Sequence, residues 1–484
     1  MKKLNFIIKY GLALLLLSFY SCESWLNVTP SDRLSEEMLF NDREGFVKAL
    51  NGVYIELNTN ELYGRNLTAG ALDVMGQYYS VASSSHAFYN YGGLVYTGND
   101  EKALFDNMWQ KCYAVIACCN TIIEKCDENK AGLSPVWKGS IKGEALALRA
   151  MLHFDMLRLF GPLTSELDKE SIPYQTNSDQ TVTPLLSGSE VIGLILDDLK
   201  NAVGLLKDTD PYFVEEEFSD RDLNYRRFRM NYFAAKGLMA RVQLWGGDKE
   251  KAAATAKEVI AEGQAEGAEF FPFVTNSEAT SSNPDRVFYS EVLFGTYHSS
   301  REKLHEDLFA PTLESTSILT LAGTARRDDL YDNENDYRYS VWSTYNKNGT
   351  SVLYHRKFEK QDNVTASRQY MIPLIRMSEM YLIAVECCKL GEASVYLNTF
   401  RNARNCNSLA LTEDNRINIL ANEYKKEMLG EGQLFFFYKR QEMVNIPDGN
   451  QATGTKNVEL TKYVVPLPES ETDQRISSTD ISNE

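Results

Sequence analysis

Residues 229–262 constrain this chain more than any other stretch. They read RMNYFAAKGLMARVQLW, then Gly246-Gly247, then DKEKAAATAKEVIAE. Met230, Ala234, Gly237 or Leu238, Arg241 and Trp245 recur at intervals of three or four. With Phe233 and Val242 they form one broad apolar stripe on a helix. The glycine pair ends that helix. Asp248 is placed to cap the next one, with Glu250 in its positive first turn. In the second helix Ala252, Ala256 and Val259/Ile260 keep the interval, and small alanines on both faces let two antiparallel helices approach closely across a short connection. Such a hairpin cannot bury its apolar face alone, so it requires neighbours of the same kind.

Residues 375–404 supply one: IRMSEMYLIAVECCKL, a break at Gly391, then EASVYLNTFRNAR. The pattern resembles tetratricopeptide-type repeats with irregular spacing. Helices are also expected at 43–57, 101–126, 137–160, 187–206, 415–430 and 431–441. In residues 141–160, Ile141, Ala145, Leu148, Leu152 and Leu159 share a face that ends at Gly161-Pro162. Two regions, 76–100 and about 265–365, lack a helical period and are polar, with Gly, Ser and many aromatics. The fold class is therefore mostly all-α, with helical pairs, long loop insertions and little β structure. In a helical chain, long irregular insertions are where function usually sits.

Lys2 and Lys3 precede an apolar run from Gly11 to Tyr20, about half the length of a spanning helix, and Ser21-Cys22 closes it. This is the pattern of a signal peptide over 1–21 with lipidation at Cys22. Removing residues 1–21 leaves 47 basic against 67 acidic residues, net −20. A surface so acidic, with no basic stripe, repels phosphate backbones and excludes nucleic acid as a partner. Residues 22–484 are read as one domain.

Seven cysteines remain beyond Cys22. Cys112, Cys119 and Cys126 lie seven apart beside the apolar stripe of Tyr113, Ile116 and Ile123, which suits buried thiols acting as small hydrophobes. The five histidines are scattered and no CxxC occurs, which argues against zinc. No cofactor is implied; calcium, for which a few loop carboxylates and carbonyls suffice, stays open.

Several segments together resemble the SusD/RagB family of nutrient-binding lipoproteins of Bacteroidetes outer membranes. They are Cys22 with Trp25-Leu26-Asn27-Val28-Thr29-Pro30, Leu50-Asn51-Gly52-Val53-Tyr54, and GEALALRAMLHFDMLRLFGP at 143–162. RMNYFAAKGLMAR, IRMSEMYLIAVE, YLNTFRNAR, NEYKKEMLGEGQLFFFYKR and VVPLPESE follow in family order. The resemblance implies four tetratricopeptide-like helix pairs, a lipid anchor in the outer membrane and exposure to the exterior. It also implies a SusC-type TonB-dependent transporter as partner and a binding role rather than hydrolysis. An oligosaccharide ligand follows from it, with a peptide as the alternative; a surface glycosidase and a pure interaction scaffold are the rival classes. Ligand residues in the family lie in variable loops, so none transfers by motif.

Glu423, Glu427 and Glu431 sit four apart, and Arg376/Glu379 and Asp155/Arg158 are i,i+3 pairs. Paired carboxylates can serve a glycoside hydrolase. Stripes of like charge on scaffold helices more often meet arginines of a neighbour, here Arg401 and Arg404. Neither a phosphate loop, HExxH nor GxSxG occurs. The aromatic insertions are the better candidates, because sugar rings stack on aromatic faces while their hydroxyls need polar partners. The expected site is one exposed platform of Phe88, Tyr89, Asn90, Tyr91 and Tyr96 from the first insertion and Trp342 and Tyr345 from the second.

Overall fold

The computed structural model describes residues 36–179, 182–214, 223–267, 270–331, 333–473 and 475. The expected signal peptide over 1–21, Cys22 and residues 25–30 lie outside them. Among the described residues the longer helices are α1 (Arg43–Leu57), α2 (Asn99–Glu128), α3 (Pro135–Phe160), α4 (Gly188–Thr209), α5 (Tyr232–Trp245) and α6 (Lys249–Gly263). They continue with α7 (Arg301–Leu308), α8 (Met377–Cys387), α9 (Leu390–Ala403), α10 (Arg416–Glu427) and α11 (Gln433–Arg440). Among the described residues the fold is mostly helical, and strands occur only as short antiparallel pairs, the first of them β1 (Glu170–Pro173) with β2 (Leu185–Ser187).

Local chemistry accounts for the boundaries. Ser134 caps α3 by accepting from the Trp137 amide, and Pro135 follows where a missing N–H costs nothing. Ser187 and Glu190 form a reciprocal capping box on α4. Asn231 caps α5, and Asp248 caps α6 through the Lys251 amide. Residues 229–263 are thus the helical hairpin that their periodicity predicts. α6 packs on α8, so the two repeats meet directly.

Helix α3 is buried on nearly every side from Gly139 to Phe160, as a helix inside a stack must be. Its charges are compensated. Glu144 meets Arg226 and, at 2.9 Å, Arg229; Arg149 meets Asp198 at 2.7 Å; Asp155 pairs with Arg158 and accepts from the Tyr63 hydroxyl at 2.6 Å. Cys112, Cys119, Cys126, Cys388 and Cys406 are buried free thiols, whereas Cys118 is exposed.

Two expectations need correction. Gly391 does not break the second repeat: α8 ends at Cys387, and Gly391 lies in the first turn of α9. Nor are the insertions without order. Strands β3 (Val292–Tyr297) and β6 (Met371–Arg376) pair antiparallel and close the base of the second insertion, β6 running straight into α8. Between them β4 (Trp342–Lys347) and β5 (Thr350–His355) form a hairpin whose two-residue turn is Asn348-Gly349, at φ 52 and 86. Both residues take the positive φ of a type I′ turn, which Asn-Gly favours.

Candidate ligand-binding face

The two insertions are joined through their backbones. Ser80 N donates to the Thr320 carbonyl at 2.8 Å and Ala87 N to that of Thr316 at 3.1 Å. Between them the His86 Nδ1 accepts from the Phe88 amide at 3.1 Å, which leaves Nε2–H to donate to the Ile318 carbonyl at 3.2 Å. Burial lowers the His86 pKa, in keeping with this neutral ring. Residues 312–320 are tied in turn to the β4–β5 hairpin. Lys347 Nζ reaches the Thr312 and Leu313 carbonyls at 3.1 and 3.0 Å, and the Thr320 hydroxyl donates to the Leu353 carbonyl at 2.5 Å. First insertion, 312–320 segment and hairpin therefore lie side by side.

Of the expected platform, Tyr89 and Tyr345 stand free, each 44 % exposed. Tyr89 opens a short helix and Tyr345 faces out of β4. Asn90 is half-buried, and its Nδ2 is taken by Glu101 at 3.1 Å. The exposed Ser83, Ser84, Ser85 and Asn346 put hydroxyl and amide groups on these same segments. Two open tyrosine faces among such groups suit stacking and hydrogen bonding to a polyhydroxylated ligand.

Phe88, Tyr91, Tyr96 and Trp342 do not belong to an exposed platform; all four are at least nine-tenths buried. Tyr91 and Tyr96 pack on Phe105, with ring centroids 6.2 and 5.5 Å away, and the Tyr96 hydroxyl donates to the Lys462 carbonyl at 2.8 Å. Trp342 Nε1 donates to the Tyr331 hydroxyl at 3.2 Å, and its ring lies on His355. These rings join the main hydrophobic core and fasten the insertions to the helical scaffold. Tyr96 also edges a cleft of ≈ 450 Å³ between the first turns of α2 and residues 465–469.

A second aromatic file runs through Tyr297 of the second insertion and takes in Tyr225 and Tyr370, which lie outside both insertions. Tyr225, 44 % exposed, lies 6.1 Å from Tyr297, and Tyr297 lies 5.2 Å from Tyr370. Tyr297 ends β3 and Tyr370 precedes β6, so only the strand pairing brings them together.

The carboxylate stripe has no open face. Glu423, Glu427 and Glu431 are buried, and each is engaged: Glu423 by Arg338, Arg401 and Lys426, Glu427 by Arg338, Arg376 and Arg404, Glu431 by Arg376 and Lys357. Arg376 and Glu379 do not pair, since Glu379 is held by Arg241. These carboxylates work as structure. Among the described residues no group of three or more His, Cys, Asp or Glu is arranged to hold a metal ion, and no helix is long and apolar enough to cross a membrane.

Two family models match the chain in succession. Residues 24–244 match one described as starch-binding and associating with the outer membrane, and residues 283–477 match that of the SusD family itself. The chain belongs to the SusD/RagB family. A SusD-like protein of Formosa agariphila is 23 % identical, the match covering 96 % of each chain. Among solved structures, a SusD-like carbohydrate binding protein of Bacteroides vulgatus superposes with a TM-score of 0.69 at 21 % identity, over 89 % of this chain and 96 % of that one. A surface glycan-binding protein of Bacteroides thetaiotaomicron does so at 0.64 and 14 %, over 91 % and 98 %. At such identities the structures establish the SusD fold, and the two solved neighbours are described as carbohydrate- and glycan-binding proteins.

Proposed function

We propose that this SusD-family protein is a surface-exposed outer-membrane lipoprotein, anchored through Cys22, that binds an oligosaccharide and delivers it to a SusC-type TonB-dependent transporter. The observation that carries the binding role is the hydrogen-bonded union of the two insertions, which leaves Tyr89 and Tyr345 free. Stacking on such rings is non-covalent and needs no cofactor. A peptide ligand would use the same scaffold and partner and is the second reading.

Screening the soluble chain against glycans and peptides, with product analysis, separates these roles. Binding of a glycan without turnover is expected; cleavage products would require an enzyme. Calorimetry then places the site. Loss of one aromatic contact is worth about 0.5–1.5 kcal/mol, so Tyr89→Ala and Tyr345→Ala should each weaken binding roughly two- to tenfold. The double variant should approach abolition with its melting curve unchanged. Full affinity in that variant would move the site elsewhere, with the Tyr225, Tyr297 and Tyr370 file as the next place to look.

A further inference from the structure

The ionic network behind α10 encloses a cavity of ≈ 20 Å³. Arg286, Arg338, Lys357, Arg376 and Lys426 line it, with Glu427 as the one carboxylate in the lining. Arg338, Lys357, Arg376 and Lys426 each have a carboxylate within 3.1 Å. Arg286 does not. Its nearest carboxylate is Glu359 at 3.6 Å, and Arg356 holds that group at 2.6 Å. Arg286 is nevertheless buried, and its Nε has no hydrogen-bond partner.

A buried guanidinium without a close anion is expensive, since desolvation penalises the charge and the Glu359 carboxylate, shared with Arg356, returns only part of the loss. Burial and the neighbouring Arg356 push Arg286 down to about 10, still far above neutral pH, so the group keeps its charge. The cavity exceeds the roughly 10–15 Å³ that admits one water, yet it is too small for a sulfate or a sugar. Size and charge together select a small, compact, monovalent anion.

We propose that this cavity is a structural halide site, in which a chloride ion is held by Arg286 together with Arg338, Arg376 and Lys357. The ion would supply the missing counter-charge where β6, α10 and the base of the second insertion meet. It lies in the scaffold and takes no part in the ligand reading above.

Crystals of the purified protein soaked in sodium bromide provide the deciding measurement. An anomalous difference peak between Arg286, Arg338 and Arg376 upholds the site. Without that peak the proposal fails, even if halides stabilise the protein, because they would then bind elsewhere. In solution, replacing gluconate by chloride at constant ionic strength should raise Tm saturably by about 1–3 °C. Arg286→Met removes the uncompensated charge and should abolish that dependence. A variant that keeps the full chloride response would overturn the role of Arg286. If Arg286→Met fails to fold, the bromide map of the unaltered protein still decides.

Discussion

Arg241 and Glu379 meet through two hydrogen bonds, 2.6 and 2.5 Å long, so that the first helix of one repeat is clamped to the first helix of the other. Arg241 Nη2 also donates to the Leu374 carbonyl at 2.8 Å, drawing β6 into the same junction. Removing one partner of a buried pair strands the other charge. Arg241→Met should therefore cost about 3–5 kcal/mol in urea denaturation, and the double change to apolar residues should cost less than the single one. A single variant with native stability would make the clamp dispensable.

Glu386 makes the equivalent contact at the far end of α8. Its carboxylate accepts from both Nη atoms of Arg440, at 2.5 and 2.8 Å, and from Gln441 at 2.8 Å. Glu386 lies on α8 and Arg440 on α11, so the contact braces two helices that are not neighbours in the chain. Glu386→Gln should lower thermal stability while leaving ligand affinity intact. Lost affinity in a variant with native melting would instead give Glu386 a functional role.

Asp73 gives stability a measurable pH dependence. Burial raises its carboxyl pKa to about 7, against the opposing pull of the Gly432 and Gly430 amides. An acid that binds its proton more tightly when folded stabilises the fold fully below about pH 4. That contribution fades as pH rises through about 7 and amounts at most to roughly 4 kcal/mol. Relative to Asp73→Asn, the wild type should therefore lose stability between about pH 4 and 7. Glu144, Glu386 and Glu423, held below the usual range by arginines, work in the opposite sense and dominate unfolding in acid. A pH-independent difference between the two proteins would show that Asp73 ionises normally.

The buried and exposed rings of the insertions should separate cleanly on mutation. Trp342→Ala opens a cavity and should cost about 3–5 kcal/mol, whereas Tyr345→Ala, three residues along the same strand, should stay within about 0.5 kcal/mol. Chemical denaturation of the pair checks this. Equal losses would mean that Tyr345 also packs.

The anchor is tested by Cys22→Ala, which should block acylation and leave the precursor uncleaved or mislocalised. Growth with an alkyne fatty acid reads this directly. A cleaved wild-type protein that takes up no label would remove lipidation from the account.

Much of the helical scaffold was legible because its signals are local. Asp248 caps the helix that follows it, and Gly161 ends α3, as their positions indicate. Gly391 sits in the first turn of α9, where a glycine is tolerated, while the break falls at the extended Cys388. The β4–β5 hairpin carries its own local mark in Asn348-Gly349 between its two strands. The burial of Phe88 and Tyr91 had no comparable sign. Which side of a non-periodic loop faces inward depends on residues 316–320, more than 200 positions away, and no local pattern reports such a partner.

The main-chain bonds from Ser80 to Thr320 and from Ala87 to Thr316 bear on how such a protein can be re-engineered. Each loop serves as part of the other's template. Grafting only residues 76–100 from a relative would leave the 316–320 backbone facing an unmatched edge, whereas transplanting both loops as one cassette would carry the matching edge with it. A change of ligand preference should therefore be sought by exchanging the two loops together.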